Sequence, residues 1–159
     1  MLHLIPPPVH RALLPLAHRI RHHWRRWRKA PLAGCGVVIC NLEGEVLLLR
    51  HSYGPAVWAL PGGGMGRGEE PETAARREVQ EELRIELERL TLVAVIEDTI
   101  SGAPHTTHLF EAVTDQHPQI DRREVIEARF FPRHSLPEPQ GPTTRVRLDM
   151  WRARLEGRG

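Results

Sequence analysis

Ten residues in the middle of the chain, Gly62 to Pro71 (GGGMGRGEEP), hold five glycines and end on a proline. Such a stretch breaks regular structure. A proline is accepted in the first turn of a helix, where its missing N–H costs nothing. A helix is therefore expected from about Pro71 to Leu83, with Ala75, Val79 and Leu83 as its apolar stripe. Glu78, Glu81 and Glu82 stand at i, i+3 and i+4 on that helix and share a sector roughly 100° wide. Like charges so spaced repel, by a few tenths of a kcal/mol per pair. Helix stability alone would not select them. A bound hard cation reverses the sign, because carboxylate oxygens are the ligands that Mg²⁺ and Mn²⁺ prefer. Glu69 lies just before the helix, where the dipole favours an anion. The glycines let the backbone turn back and bring Glu69 and loop carbonyls toward the same cation. A metal held there would coordinate phosphate oxygens and activate a water. The competing reading of any glutamate run is a solvated acidic face. The glycines and the fixed offsets weigh against it.

The flanking segments read as α/β. Gly34 to Cys40 is a strand, Asn41 to Gly44 a turn, and Glu45 to Arg50 the return strand of a hairpin. Val57 to Leu60 reads as a short strand. Further strands are expected near 89–97 and 105–114, with a shorter one near 128–131 and a polar loop over 115–123. Thr143 or Thr144 is placed to cap a last helix with Leu148, Trp151 and Leu155 on one face. Cys35 and Cys40, five apart on a strand, point to opposite faces. A local disulfide is not expected, which fits a reducing cytosol.

Charge divides the chain in two. Residues 1–30 carry seven basic side chains and no acidic one, whereas 31–159 carry a net charge of −5. Val9, Leu13, Leu16, Ile20, Trp24 and Trp27 recur at helical spacing, so 1–30 read as a basic amphipathic helical arm ahead of a domain over 31–159. Docking on the domain is the favoured role of the arm, contact with an anionic membrane surface is the alternative, and RNA binding is a weaker third reading. A basic body for stable nucleic-acid binding is not indicated. With 40% hydrophobic residues and no apolar run near the ~20 needed to span a bilayer, a polytopic membrane protein is excluded.

The central segment resembles the Nudix hydrolase (MutT-like) signature, G-x5-E-x7-R-E-U-x-E-E-x-G-U with U a bulky aliphatic residue. Gly63, Glu69, Arg77, Glu78, Val79, Glu81, Glu82 and Ile85 match it, and Arg84 stands where the pattern has glycine. Trp58 to Gly63 resembles the segment leading into the signature. Glu124 to Phe131 is similar to the family's closing strand. Together these cover about 34–137.

The resemblance implies an α/β/α sandwich around a central mixed β-sheet. It also implies Mg²⁺-dependent (or Mn²⁺-dependent) hydrolysis of a diphosphate linkage in a nucleotide, by carboxylate-activated water. Glu78 and Glu82 would be the main metal ligands, joined by Glu81, Glu69 and the carbonyl of Gly62. Arg77 would orient a catalytic glutamate. Glu78 and Glu124 are the candidates for general base, with Glu127, Glu97 and Asp98 behind them. Gly63, Arg50 and His51 would meet the substrate. The expected partner is a small-molecule nucleotide, in the cytoplasm, with a homodimer as one option. The alternatives are a sanitiser of damaged nucleoside triphosphates and a silent Nudix-fold binding module. Arg84 puts the last helical turn in question: a left-handed arginine would cost on the order of 1–2 kcal/mol, unless the helix runs one residue further. His105 and His108 read as ordinary strand histidines on opposite faces, and Arg145 and Arg147 as a solvated helix face.

Overall fold

The structure is a computed structural model and describes residues 33–100 and 102–159. The expected arm over 1–30, with its docking and membrane alternatives, lies outside the described residues. Among the described residues six strands and two helices follow in the order β1 (Ala33–Cys40), β2 (Val46–His51), β3 (Gly62–Gly64), α1 (Pro71–Leu83), β4 (Thr91–Ile100), β5 (Ala103–Val113), β6 (Val125–Phe131) and α2 (Pro142–Glu156). The sheet runs β4-β5-β1-β2-β6, with β3 also paired to β1. β1 and β5 are parallel and the other pairs antiparallel, so the sheet is mixed.

Strand alternation divides the apolar residues between two layers. Val37, Ile39, Leu47, Leu49 and Phe110 pack with Ala74, Ala75, Val79 and Leu83 of α1. Val38, Val46, Leu48 and Leu109 pack with Leu148 and Trp151 of α2. Strands buried on both faces read as unbroken apolar runs, which is why 37–39 and 46–49 lack alternation. The result is the expected α/β/α sandwich. Among the described residues no helix is long and apolar enough to cross a membrane.

Four expectations need correction. Gly62–Gly64, read as a break, is a strand. Its backbone pairs with β1 at Gly34↔Gly64, Cys35↔Gly63 and Gly36↔Gly62, so ladder bonding overrides poor propensity. Val57 to Leu60 forms only the isolated bridges Leu49↔Ala59 and Trp58↔Gln140. The closing strand starts at Val125, not near 128. No threonine caps α2: Gly141 holds the cap position, Pro142 starts the helix and Thr144 is buried. The first helix has its expected bounds, Pro71–Leu83, and ends on Arg84 with φ 57° and ψ 28°, its N–H donating to the Gln80 carbonyl at 3.1 Å. The chain adopts the left-handed cap without the glycine that normally relieves it.

Candidate active site

β3 and α1 face each other across the site. Gly62 has φ 146°, and a Cβ there would stand 2.2 Å from the Cys35 carbonyl oxygen and 2.8 Å from Gly36 Cα. Only glycine fits. Val37 N–H donates to the Pro61 carbonyl and Met65 N–H to the Ala33 carbonyl. By antiparallel alternation the Gly62 N–H and C=O then point away from β1. The Gly62 N–H meets Glu82 Oε2 at 3.0 Å. Gly63 presents bare backbone to Glu78: a Cβ would lie 2.5 Å from that carboxylate. The glycines of the loop thus make room for two carboxylates.

Arg77 collects the glutamates. Its Nε and Nη2 donate to the two oxygens of Glu69 at 2.8 and 3.0 Å, Nη1 donates to Glu78 Oε1 at 2.7 Å, and Nη2 also reaches the Gly64 carbonyl at 3.0 Å. The more exposed Glu81 stands 3.7 Å from the same guanidinium. Such forked, charge-assisted bonds fix direction as well as distance. Hydrogen bonds to Glu69 raise the Arg77 pKa further, and the same bonds lower that of Glu69, which also accepts the Gly66 N–H at 2.7 Å. Glu78 behaves in the opposite way. It is only 4% exposed, and burial pushes its carboxyl up to about 7. Arg77 opposes that rise, while Glu82 and Glu81 add to it. A buried carboxylate of this kind is costly until a cation compensates it.

The second metal-ligand candidate on α1, Glu82, is held on both oxygens. His51 Nε2 lies 3.0 Å from Oε1, while Oε2 takes the Gly62 N–H. The His51 ring packs against Tyr53, with centroids 5.0 Å apart. Ser52 N–H donates to the Glu124 carbonyl at 2.8 Å, and His51 pairs with Val125, so half-buried Glu124 borders the same end of the sheet. The donor set is all oxygen, as a hard cation requires. Among the described residues, however, no three His, Cys, Asp or Glu side chains close around one point. Glu69 is turned to Arg77. Glu78 and Glu82 remain near enough to repel each other, with Glu81 more exposed beside them.

Other expected residues lie elsewhere. Arg50 sits on the α2 face, 3.5 Å from Glu127 and over the Trp58 ring, so neither Arg50 nor Glu127 joins the glutamates. Glu97 accepts the Thr106 hydroxyl on exposed β4, and Asp98 accepts its neighbour's N–H. Cys35 and Cys40 are free thiols, both pushed up to about 11 by burial. His105 is buried beside Thr107, whereas His108 has an Nδ1 buried without a partner. Arg145 pairs with Glu138 in solvent, as a surface residue does. Arg147, by contrast, is half-buried against β1 and β5. The His51–Glu82 contact links residues 31 apart in the chain, and no local pattern announces it.

Residues 30–151 match the NUDIX domain. The crystal structure of MutT NUDIX hydrolase from Burkholderia pseudomallei is similar with a TM-score of 0.68 and 30% identity, over 77% of this chain and 98% of that one. A Caenorhabditis elegans Ap4A hydrolase binary complex is similar with a TM-score of 0.62 and 27% identity, over 79% of this chain and 98% of that one. An RNA pyrophosphohydrolase from Rhodospirillum rubrum is 44% identical over 50 residues, 31% of this chain and 30% of the relative. That match spans less than a third of the curated relative's length. The domain match, by contrast, runs from residue 30 to 151 and a 30% identical solved relative is covered almost end to end, so this chain belongs to the NUDIX domain family.

Proposed function

We propose that this protein is a divalent-cation-dependent hydrolase of a diphosphate linkage in a nucleotide or nucleotide derivative. The observation that carries the reading is Glu78, a carboxylate buried against Gly63 and repelled by Glu82, whose anion added positive charge would stabilise. Glu78 and Glu82 would hold Mg²⁺ or Mn²⁺, with Glu81 and the outward Gly62 carbonyl completing the oxygen set. When bound, the cation neutralises phosphate charge and lowers the pKa of a water. Arg77 keeps Glu78 aimed at the site and retains Glu69 as its own counter-ion. Glu124, just before β6 with its carbonyl bonded to Ser52 N–H, would be the alternative base to Glu78. Gly63 gives its bare face to Glu78, which leaves that face no room for a phosphate. The similarity to an RNA pyrophosphohydrolase and an Ap4A hydrolase supports a substrate with several linked phosphates.

The test is phosphate or pyrophosphate release from a panel, with Mg²⁺ or with EDTA. The panel holds nucleoside di- and triphosphates, oxidised guanine nucleotides, nucleotide sugars, dinucleoside polyphosphates and 5′-triphosphorylated oligonucleotides. Turnover of one class that stops in EDTA is the expected result. A folded protein that binds nucleotides and hydrolyses none of them would instead be a binding module.

A further inference from the structure

On the α2 face of the sheet, behind the glycine strand, three polar side chains meet over two more glycines. Thr107 Oγ1 stands between His105 Nδ1 at 3.3 Å and Arg147 Nη2 at 3.4 Å. Arg147 lies directly on Gly36: a Cβ there would be 3.3 Å from Nη1. His105 lies on Gly34, whose Cβ would meet its Cε1 at 3.2 Å and the Gly63 carbonyl at 3.0 Å. Gly62 in turn packs on Gly36 Cα. The patch is therefore contiguous with the two glycines that receive Glu82 and Glu78.

Its charge is only partly balanced: Asp98 favours the Arg147 cation, and Asp98 and Glu97 favour that of His105, but none forms an ion pair with Arg147. Arg147 has no carboxylate within salt-bridge distance among the described residues, and its one hydrogen bond, to Thr107, is long. Half-buried Arg77 and Arg50 are paired with carboxylates, Arg77 with Glu69 and Glu78 and Arg50 with Glu127, and half-buried Arg154 bonds two backbone carbonyls. Burial disfavours the charge on Arg147, and burial followed by Arg147 holds His105 below the ordinary histidine range. A guanidinium nonetheless stays protonated. Its nitrogens are not sealed, since none is a buried atom without a partner. A half-buried cation with unused donors and no ion pair offers a place for an anion. A neutral base would supply acceptors but no compensating charge.

We propose that Arg147, with Thr107 and His105, is a binding subsite for a substrate phosphate that is not the one attacked at the glutamates. The assignment to substrate rests on the proposed hydrolase reading; the binding of phosphate at Arg147 does not. The subsite separates the phosphates of one ligand across β3, one at Glu78 and Glu82, another at Arg147.

The experiment is calorimetric titration of the full chain, in EDTA, with inorganic pyrophosphate and with ADP. Arg147→Met keeps the stem and removes the charge, and is expected to weaken both ligands at least tenfold. Arg147→Lys should recover part of the loss. Gly36→Ala, whose methyl displaces the guanidinium by a few tenths of an ångström, should weaken both by a smaller factor, and serves if Arg147→Met does not fold. The proposal is overturned if the variants stay within twofold of wild type. It is equally overturned if ADP weakens while pyrophosphate does not, which would make Arg147 a reader of the nucleoside. Because no turnover is measured, failure here is distinct from failure of the hydrolase reading.

Discussion

His51 Nε2 lies 3.0 Å from Glu82 Oε1, and this contact ties the end of β2 to the last turn of α1. The Tyr53 ring packs against the imidazole and supports its plane. Groups that orient a metal-ligating carboxylate typically contribute 10–100-fold in metal affinity or activity. His51→Leu should therefore weaken Mn²⁺ binding, read by titration, by about tenfold. His51→Gln, whose amide nitrogen can occupy the place of Nε2, should restore most of it. Equal loss in both variants would show that the ring packs but does not orient.

Gly63 gives a sharper steric prediction. Gly63→Ala places a methyl 2.5 Å from the Glu78 carboxylate, which must swing away from Arg77. Activity should fall at least a hundredfold, by the general rule that small misplacements of catalytic groups cost about that much. The melting temperature should change little, since the displaced group is a costly buried charge. Gly62→Ala should instead prevent folding, because its methyl meets main chain at 2.2 Å.

Burial of Glu78 sets a pH dependence in the metal-free protein. Its carboxyl is pushed up to about 7 in the native state from an ordinary 4.5. The native state then holds this proton more tightly than the unfolded chain. This contribution to stability is full below pH 4.5 and falls between 4.5 and about 7, by up to about 1.4 kcal/mol per pH unit. Glu69, lowered by Arg77, acts with the opposite sign and only in more acid solution, where stability is lost as pH falls. Urea unfolding of Glu78→Gln should lack the decline between pH 4.5 and 7. Added Mg²⁺ should reduce it in the wild type.

Arg84 is the one departure from the glycine pattern, and it occupies the left-handed region that glycine would occupy freely. Arg84→Gly should raise stability by about 1 kcal/mol, the αL penalty less the extra entropy of an unfolded glycine. Activity should be unchanged, because the α1 carboxylates Glu78, Glu81 and Glu82 all lie upstream. A lower melting temperature would mean that the arginine makes a compensating contact.

Much of this was legible in the sequence where one force dominated. Pro71 and the stripe Ala75, Val79, Leu83 set α1 to the residue, because capping and apolar periodicity agree. The carboxylates Glu78 and Glu82 follow from helical geometry alone. β3 was not legible: three glycines have no strand propensity, and their pairing is decided by the neighbouring β1 backbone. Arg50 and His51 read as one substrate-facing pair, yet strand alternation and the register shift between them send the side chains to different faces. Arg147 looks like a surface residue until the bare backbone of Gly36, far away in sequence, lets it settle onto the sheet.

The central claim is that the α1 carboxylates hold a cation that drives hydrolysis. The most direct measurement is kcat/KM of Glu82→Gln and Glu78→Gln beside the wild type, at saturating Mg²⁺, on whichever substrate the panel identifies. The expected result is a loss of at least a thousandfold in each, with weakened Mn²⁺ binding and folding retained. Wild-type turnover that survives EDTA, or variants within tenfold of wild type, would contradict it.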